Sequence, residues 1–184
     1  MLENATHRLR ALEPEDVDML LQWENDSNHW WLGASITPFS RATLLKFATG
    51  DHDLYRDRQL RFMLDHKNAQ GNWHTVGAID VYDFDVRNLR AGIGVIVDNK
   101  ERRKGHASVG VDLMANYTDE HLGLNLIYAE VPTKHEASRK LFLRAGFKEC
   151  EVRKQWIKGV DGWEDVVLMQ LFTPKISPKR IEHA

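Results

Sequence analysis

The sequence predicts a mixed α/β fold: one seven-stranded, mostly antiparallel sheet with about four helices packed on it. Three observations carry this. Strand-length apolar runs and helical patterns alternate in the order β-α-α-β-β-β-α-β-α-β-β. Short polar turns at Asn68–Asn72, Asp83–Asn88 and Val160–Gly162 join neighbouring runs as hairpins. One run, Ile93–Val97, is apolar on both faces and leads through a glycine loop into a helix, which makes it a central strand.

Taken in order, Leu9–Leu12 is the first strand, and Pro14 with Glu15 and Asp16 opens a helix along one face of which Val17, Leu20, Leu21 and Glu24 fall. That helix stops in the turn residues Asn25–Asn28, and His29–Gly33 follows as an aromatic loop. Pro38–Ala48 is the second helix, and Asp51–Arg58 is a charged surface connection. Leu60–Leu64, Val76–Tyr82 and Ala91–Val97 are strands; Val76, Ala78 and Asp80 fall on one face of the middle one. The helix after Gly105 carries Val109, Leu113 and Tyr117 at i, i+4 and i+8. Leu124–Val131 is the next strand, and with Val97 and the intervening helix it predicts a right-handed crossover of parallel strands. Thr133 and Glu136 form a capping-box pattern for a helix to Ala145, with Gly146 just past its end. Phe147–Trp156 and Trp163–Phe172 close the sheet as a hairpin.

A chain of 184 residues, 42% apolar and 28% charged, fits one globular domain, expected over residues 1–172 with 173–184 as a mobile tail. The net charge of −2 argues against a nucleic-acid partner. No apolar run reaches membrane-spanning length, and Met1–Thr6 lacks a signal-peptide pattern. The single cysteine, Cys150, excludes an internal disulfide, fits a reducing cytoplasmic location, and reads as a small buried hydrophobe. The nine histidines show neither an H-x-x-x-H nor a Cys/His spacing, so no metal site is expected.

The chemistry concentrates where Ile93–Val97 passes through Asp98–Glu101 into Arg102-Arg103-Lys104-Gly105-His106-Ala107-Ser108. The first backbone N–H groups of a helix have no partner inside it, and the helix dipole adds about half a positive charge there. With three cations at the same mouth, a phosphorylated ligand is the natural guest. The chain has neither G-x-x-x-x-G-K-[ST] nor a G-x-G-x-x-G at the turn, which excludes the common nucleotide loops.

Arg102-x-x-Gly105-x-Ala107 resembles the pyrophosphate loop of the GNAT acyltransferases, [Gln/Arg]-x-x-Gly-x-[Gly/Ala]. Val131–Phe147 resembles that family's V-p-x-x-N-x-x-S/A segment ending in k-x-G-F. Leu9–Asp16 resembles the L-R-x-l-x-x-x-D opening of the branch that includes ribosomal-protein N-terminal acetyltransferases and spermidine acetyltransferases. The resemblance implies a GNAT-like fold and transfer of an acetyl group from acetyl-CoA to an amine, without a metal. The acceptor is then a polyamine or other small primary amine, or a protein N-terminus. A non-catalytic acyl-CoA-binding domain is the alternative, and a homo-oligomer stays open.

Residue by residue, the resemblance gives the pyrophosphate to the backbone of Arg102, Arg103, Lys104, Gly105, His106, Ala107 and Ser108. It gives the pantetheine arm to the backbone of Val95, Ile96 and Val97, with an oxyanion-binding N–H near Ile96. His135 stands where the family has an asparagine that touches the cofactor. Phe142 stands where many members have a tyrosine that protonates the leaving thiolate, so water or Ser138, one turn earlier, takes that task. An alkylamine nitrogen of pKa ~10.4 must lose a proton at a cost of ~4 kcal/mol near neutrality, an α-amino group only about 1 kcal/mol. For the first, Asp80 is the leading candidate base, followed by Asp83 and Glu24. Spermidine acetyltransferases carry paired glutamates in the loop after the first helix, and this chain has Gly33-Ala34-Ser35 there.

Overall fold

Seven strands in the order β1-β2-β3-β4-β5-β7-β6 make one sheet in the computed structural model, which describes residues 2–27, 37–159 and 161–173. The strands are β1 (His7–Ala11), β2 (Leu60–Lys67), β3 (Trp73–Asp85), β4 (Arg90–Val97), β5 (Leu126–Pro132), β6 (Lys148–Gly159) and β7 (Gly162–Phe172). Every neighbouring pair is antiparallel except β4–β5, the parallel pair that the crossover requires.

The helices among the described residues are α1 (Val17–Glu24), α2 (Arg41–Ala48), α3 (Leu54–Asp57), α4 (His106–Glu120) and α5 (Glu136–Arg144). One more forms than the sequence predicts. The charged connection at Asp51–Arg58 folds into the single turn α3 because the Asp53 carboxylate accepts the amides of Tyr55 and Arg56. Likewise α2 starts at Arg41, later than Pro38, because the Ser40 hydroxyl oxygen accepts the Thr43 amide at 3.1 Å. No described helix is long and apolar enough to cross a membrane.

Two apolar cores lie on opposite faces of the sheet. Helix α4 covers Leu64, Ile79, Val81 and Ile93 with Val111 and Met114, and α1 and α2 cover Met63 and Ala78 with Val17, Leu20, Trp23 and Leu44. Val76 is the surplus residue of a bulge, since Leu64 pairs with Gly77 and Asp65 with Thr75. It therefore joins the α4 side, away from the face of Ala78 where strict alternation would put it.

Three further expectations change. Cys150 is exposed, because a bulge between Glu149 and Glu151 leaves it without a cross-strand partner. The Thr133/Glu136 capping box does not form; His135 is the N-cap of α5, its amide turned to the Pro132 carbonyl at 2.8 Å. At the other end of α5 the Phe147 and Gly146 amides return to the carbonyls of Phe142 and Leu143, a Schellman motif with Gly146 at φ 90°. Thr173 is buried rather than part of a loose tail: its amide and hydroxyl donate to the carbonyls of Asn125 and Leu124. The rest of that tail, the aromatic loop His29–Gly33 and the Gly33–Ser35 stretch lie outside the described residues.

Candidate functional site

Strands β4 and β5 pair only where Arg90–Gly92 lies against Leu126–Tyr128, and beyond that they part into a wedge. Hydrogen-bond directions alternate along an antiparallel strand. Because the Asp98 amide donates to the Val76 carbonyl, the backbones of Gly94 and Ile96 turn to β3, and those of Ile93, Val95 and Val97 turn into the wedge. On the other arm the Thr133 amide donates to Asp165, which by the same alternation turns Glu130 toward β4. The open amide nearest the expected oxyanion site is thus that of Val95, not Ile96. The Val97 carbonyl accepts Arg102 Nε at 3.2 Å.

At the wide end of β4, Asp98 caps a 3-10 turn, Asn99–Glu101, by accepting the Lys100 amide at 2.8 Å, and also accepts Trp23 Nε1 at 3.0 Å. Both contacts, the indole first, hold its carboxyl below the usual range. The chain then enters α4 through Arg103 at φ 64° and Gly105 at φ 89°. Left-handed residues spaced in this way aim successive amides into one concavity, a ready anion cradle. The amides of residues 103–107 donate to no described residue, whereas Ser108 N–H already reaches the Gly105 carbonyl at 3.1 Å. The cradle is therefore shorter than the resemblance implies. Its cations are not equal: Lys104 is bound to Glu101 at 2.9 Å, and Arg103 is exposed.

On the α1 side of the sheet Asp80 lies opposite Gly94, half-buried. Both its oxygens are held by Arg61, from Nε at 2.7 Å and Nη2 at 2.8 Å, while Arg61 Nη1 donates to Glu24. Burial opposes the charge on Arg61, but the two carboxylates outweigh it and raise its pKa. Asp83 sits apart, exposed on a bulge at φ 49°, with the Tyr128 hydroxyl 3.4 Å away.

At the narrow end, Tyr82, Gly92 and Tyr128 are register neighbours on β3, β4 and β5. The two rings meet edge to face at 5.9 Å, and Tyr82 covers Gly92 so closely that a Cβ there would lie 2.2 Å from its ring. The Tyr82 phenol lies near the backbone N–H of Glu130 across the wedge. Burial, then nearby Glu130 and Tyr128, push the Tyr82 phenol well up; burial and Asp83 push Tyr128 up to about 12. Phe142 is buried against Phe147 at 5.0 Å, and Ser138 is half-buried a turn before it. His135, half-buried, ends the β5 arm.

The sequence singled out neither tyrosine, because both hydroxyls come from strands, although the Tyr82 position in a half-buried strand was visible. Nor does spacing reveal that His7, His66 and His106 converge beside the loop, since each belongs to a different element.

A protein-family model described as an acetyltransferase (GNAT) domain matches residues 7–148. Uncharacterized N-acetyltransferase YoaA of Bacillus subtilis (strain 168) is 29% identical over 105 residues, 56% of this chain and 58% of that relative's length. Uncharacterized N-acetyltransferase p20 of Bacillus licheniformis is 28% identical over 165 residues, 89% of this chain and 90% of that one. The crystal structure of spermidine N-acetyltransferase from Vibrio cholerae in complex with CoA and spermine superposes with a TM-score of 0.76 at 22% identity, over 92% of this chain and 97% of that one. At that identity the likeness is one of fold.

Proposed function

Because this chain belongs to the GNAT acetyltransferase family, we propose that it moves an acetyl group from acetyl-CoA to a primary amine, with polyamines as the favoured class. The observation that carries this reading is the wedge between β4 and β5, open at Val95 and leading to the amides of residues 103–107, which donate to no described residue. A diphosphate would rest on those amides, and the pantetheine arm would pair with β4 like an added strand. His135 would meet that arm from β5.

In the reaction a neutral amine nitrogen attacks the thioester carbonyl, the C–N bond forms, the C–S bond breaks, and the nitrogen gives its proton to water or a base. The Val95 amide is the donor for the developing oxyanion. Tyr82 is our candidate to protonate the departing thiolate, in place of the hydroxyl that Phe142 lacks, with Ser138 or water behind it. Asp80 and Glu24, clasped by Arg61, set the field that orients the amine; with Arg61 on both oxygens, Asp80 acts by positioning rather than as the base. Asp83 remains a peripheral acid that would draw cations toward the narrow end.

The polyamine class is favoured by the acids Glu24, Asp26, Asp80 and Asp98 on this side of the sheet, and by the spermine bound to the Vibrio cholerae enzyme of the same fold. A thiol-release assay with acetyl-CoA and a panel of spermidine, spermine, lysine and an N-terminal peptide tests it. Turnover highest on the polyamines supports the reading. Turnover only on the peptide transfers the acceptor to a protein N-terminus. Phe142 favours a second reading, a non-catalytic acyl-CoA sensor, which saturable CoA binding with no turnover on any amine would establish.

A further inference from the structure

His7 opens β1, His66 lies directly opposite it on β2, and His106 is the first residue of α4. Directly opposed residues share a face of the sheet, and α4 crosses that face with its N-terminus over them. Ring centroids are 4.7 Å apart for His7–His66 and for His66–His106, and 5.1 Å for His7–His106. One nitrogen from each ring lies within 4.8 Å of the other two. His7 Nε2 and His106 Nδ1 are only 2.8 Å apart, so a single proton lies between them.

The outer nitrogens are as telling. His7 Nδ1 is 2.9 Å from the Thr6 hydroxyl, and His66 Nδ1 is 3.1 Å from the Thr6 carbonyl. His106 Nε2 is 3.3 Å from Glu101 Oε2, a close contact without good hydrogen-bond alignment. Each imidazole thus has an oxygen on its far side, and an ion that replaces the shared proton would find a near-side lone pair on all three rings. Metal-bound histidines have the same second partners, which fix the tautomer and ring direction.

We propose that His7, His66 and His106 bind one late first-row divalent cation of the zinc type, with water in the fourth position. Zn–N bonds of about 2.0–2.1 Å in a tetrahedron put ligand nitrogens about 3.3 Å apart. The His7–His106 pair must therefore open by roughly half an ångström as the ion replaces the shared proton, and His66 must close in. The half-buried His66 leaves the fourth position open to solvent. The ion would tie Glu101 and the start of α4 to β1 and β2, directly behind the anion cradle.

The test is titration of the chelator-stripped full chain with Co2+, read by its visible d–d absorption, and with Zn2+, read by calorimetry and thermal unfolding. We expect one equivalent to bind, a tetrahedral Co2+ spectrum, and a rise in Tm. His66→Ala, at a partly exposed position that leaves the core covered, should keep the fold and abolish the spectrum. Glu101→Gln should weaken binding about 10- to 100-fold. Absence of stoichiometric binding in folded wild-type protein overturns the proposal, and so does unchanged affinity in His66→Ala, which would put the ion elsewhere. Because the readouts are metal affinity and melting, they are independent of any acetyl transfer.

Discussion

The ring of Tyr82 stands where a β-carbon on residue 92 would have to be, 2.2 Å from that position. Glycine at 92 is what lets the phenol lie across β4 and extend toward Glu130. Gly92→Ala should therefore displace the ring and overpack the narrow end, at a cost of about 1–3 kcal/mol. Urea unfolding measures that loss. The crystal structure of the variant should show the Tyr82 hydroxyl away from Glu130.

Tyr82→Phe separates chemistry from packing. It removes one half-buried hydroxyl and leaves the ring, at a cost of no more than about 1 kcal/mol of stability. If Tyr82 protonates the thiolate, kcat should fall roughly 10²- to 10⁴-fold with KM for acetyl-CoA little changed. The raised pKa gives the sign of a second test: the phenol keeps its proton well above its ordinary value of about 10. In wild-type protein kcat should not decline as pH rises toward about 10. An early alkaline decline, or full activity in Tyr82→Phe, would remove it as the acid.

Asp80→Asn leaves Arg61 with Glu24 and an amide in place of its bidentate partner. Losing a charge-assisted pair at this half-buried position should cost about 1–3 kcal/mol. As a positioning residue, Asp80 should affect KM for polyamines more than kcat, and the acidic limb of the pH–rate profile should stay where it is. A shifted limb would make Asp80 the base after all.

Gly105 occupies φ 89°, where an L-residue is strained, yet nothing lies within 4 Å of the β-carbon it lacks. Gly105→Ala should thus cost about 1–2 kcal/mol of folding stability from the backbone alone. It should also weaken CoA binding beyond that, since the new methyl projects beside amides that a diphosphate would approach. Calorimetry with CoA, set against thermal unfolding, checks whether the second effect exceeds the first.

Local patterns made most of this molecule readable. Ile93–Val97 followed by Gly105 announced the central strand and the helix it leads into, and Gly146 marked the end of α5, because both depend on residues close in sequence. Surplus residues were invisible: Val76 changes face and Cys150 becomes exposed because a bulge depends on the partner strand as well as the residue's own. Long-range polar partners were equally hidden. Nothing near Asp80 in the sequence foretold that Arg61 would hold both its oxygens, and His7 and His106 meet across 99 positions. Phe142 was read for the hydroxyl it lacks, whereas its neighbour Phe147 explains what the ring contributes to α5.

Arg61, clasped between Glu24 and Asp80, is a resident stand-in for a cationic guest. An ammonium group arriving there meets acids already satisfied, so a singly charged amine gains little by exchange. A chain with several spaced nitrogens can leave Arg61 in place and set its other charges near Asp26 and Asp98, which accept neutral N–H groups of Asn99, Trp23 and the Lys100 backbone. Selectivity would then reside in the separation between charges rather than in their number at any one carboxylate.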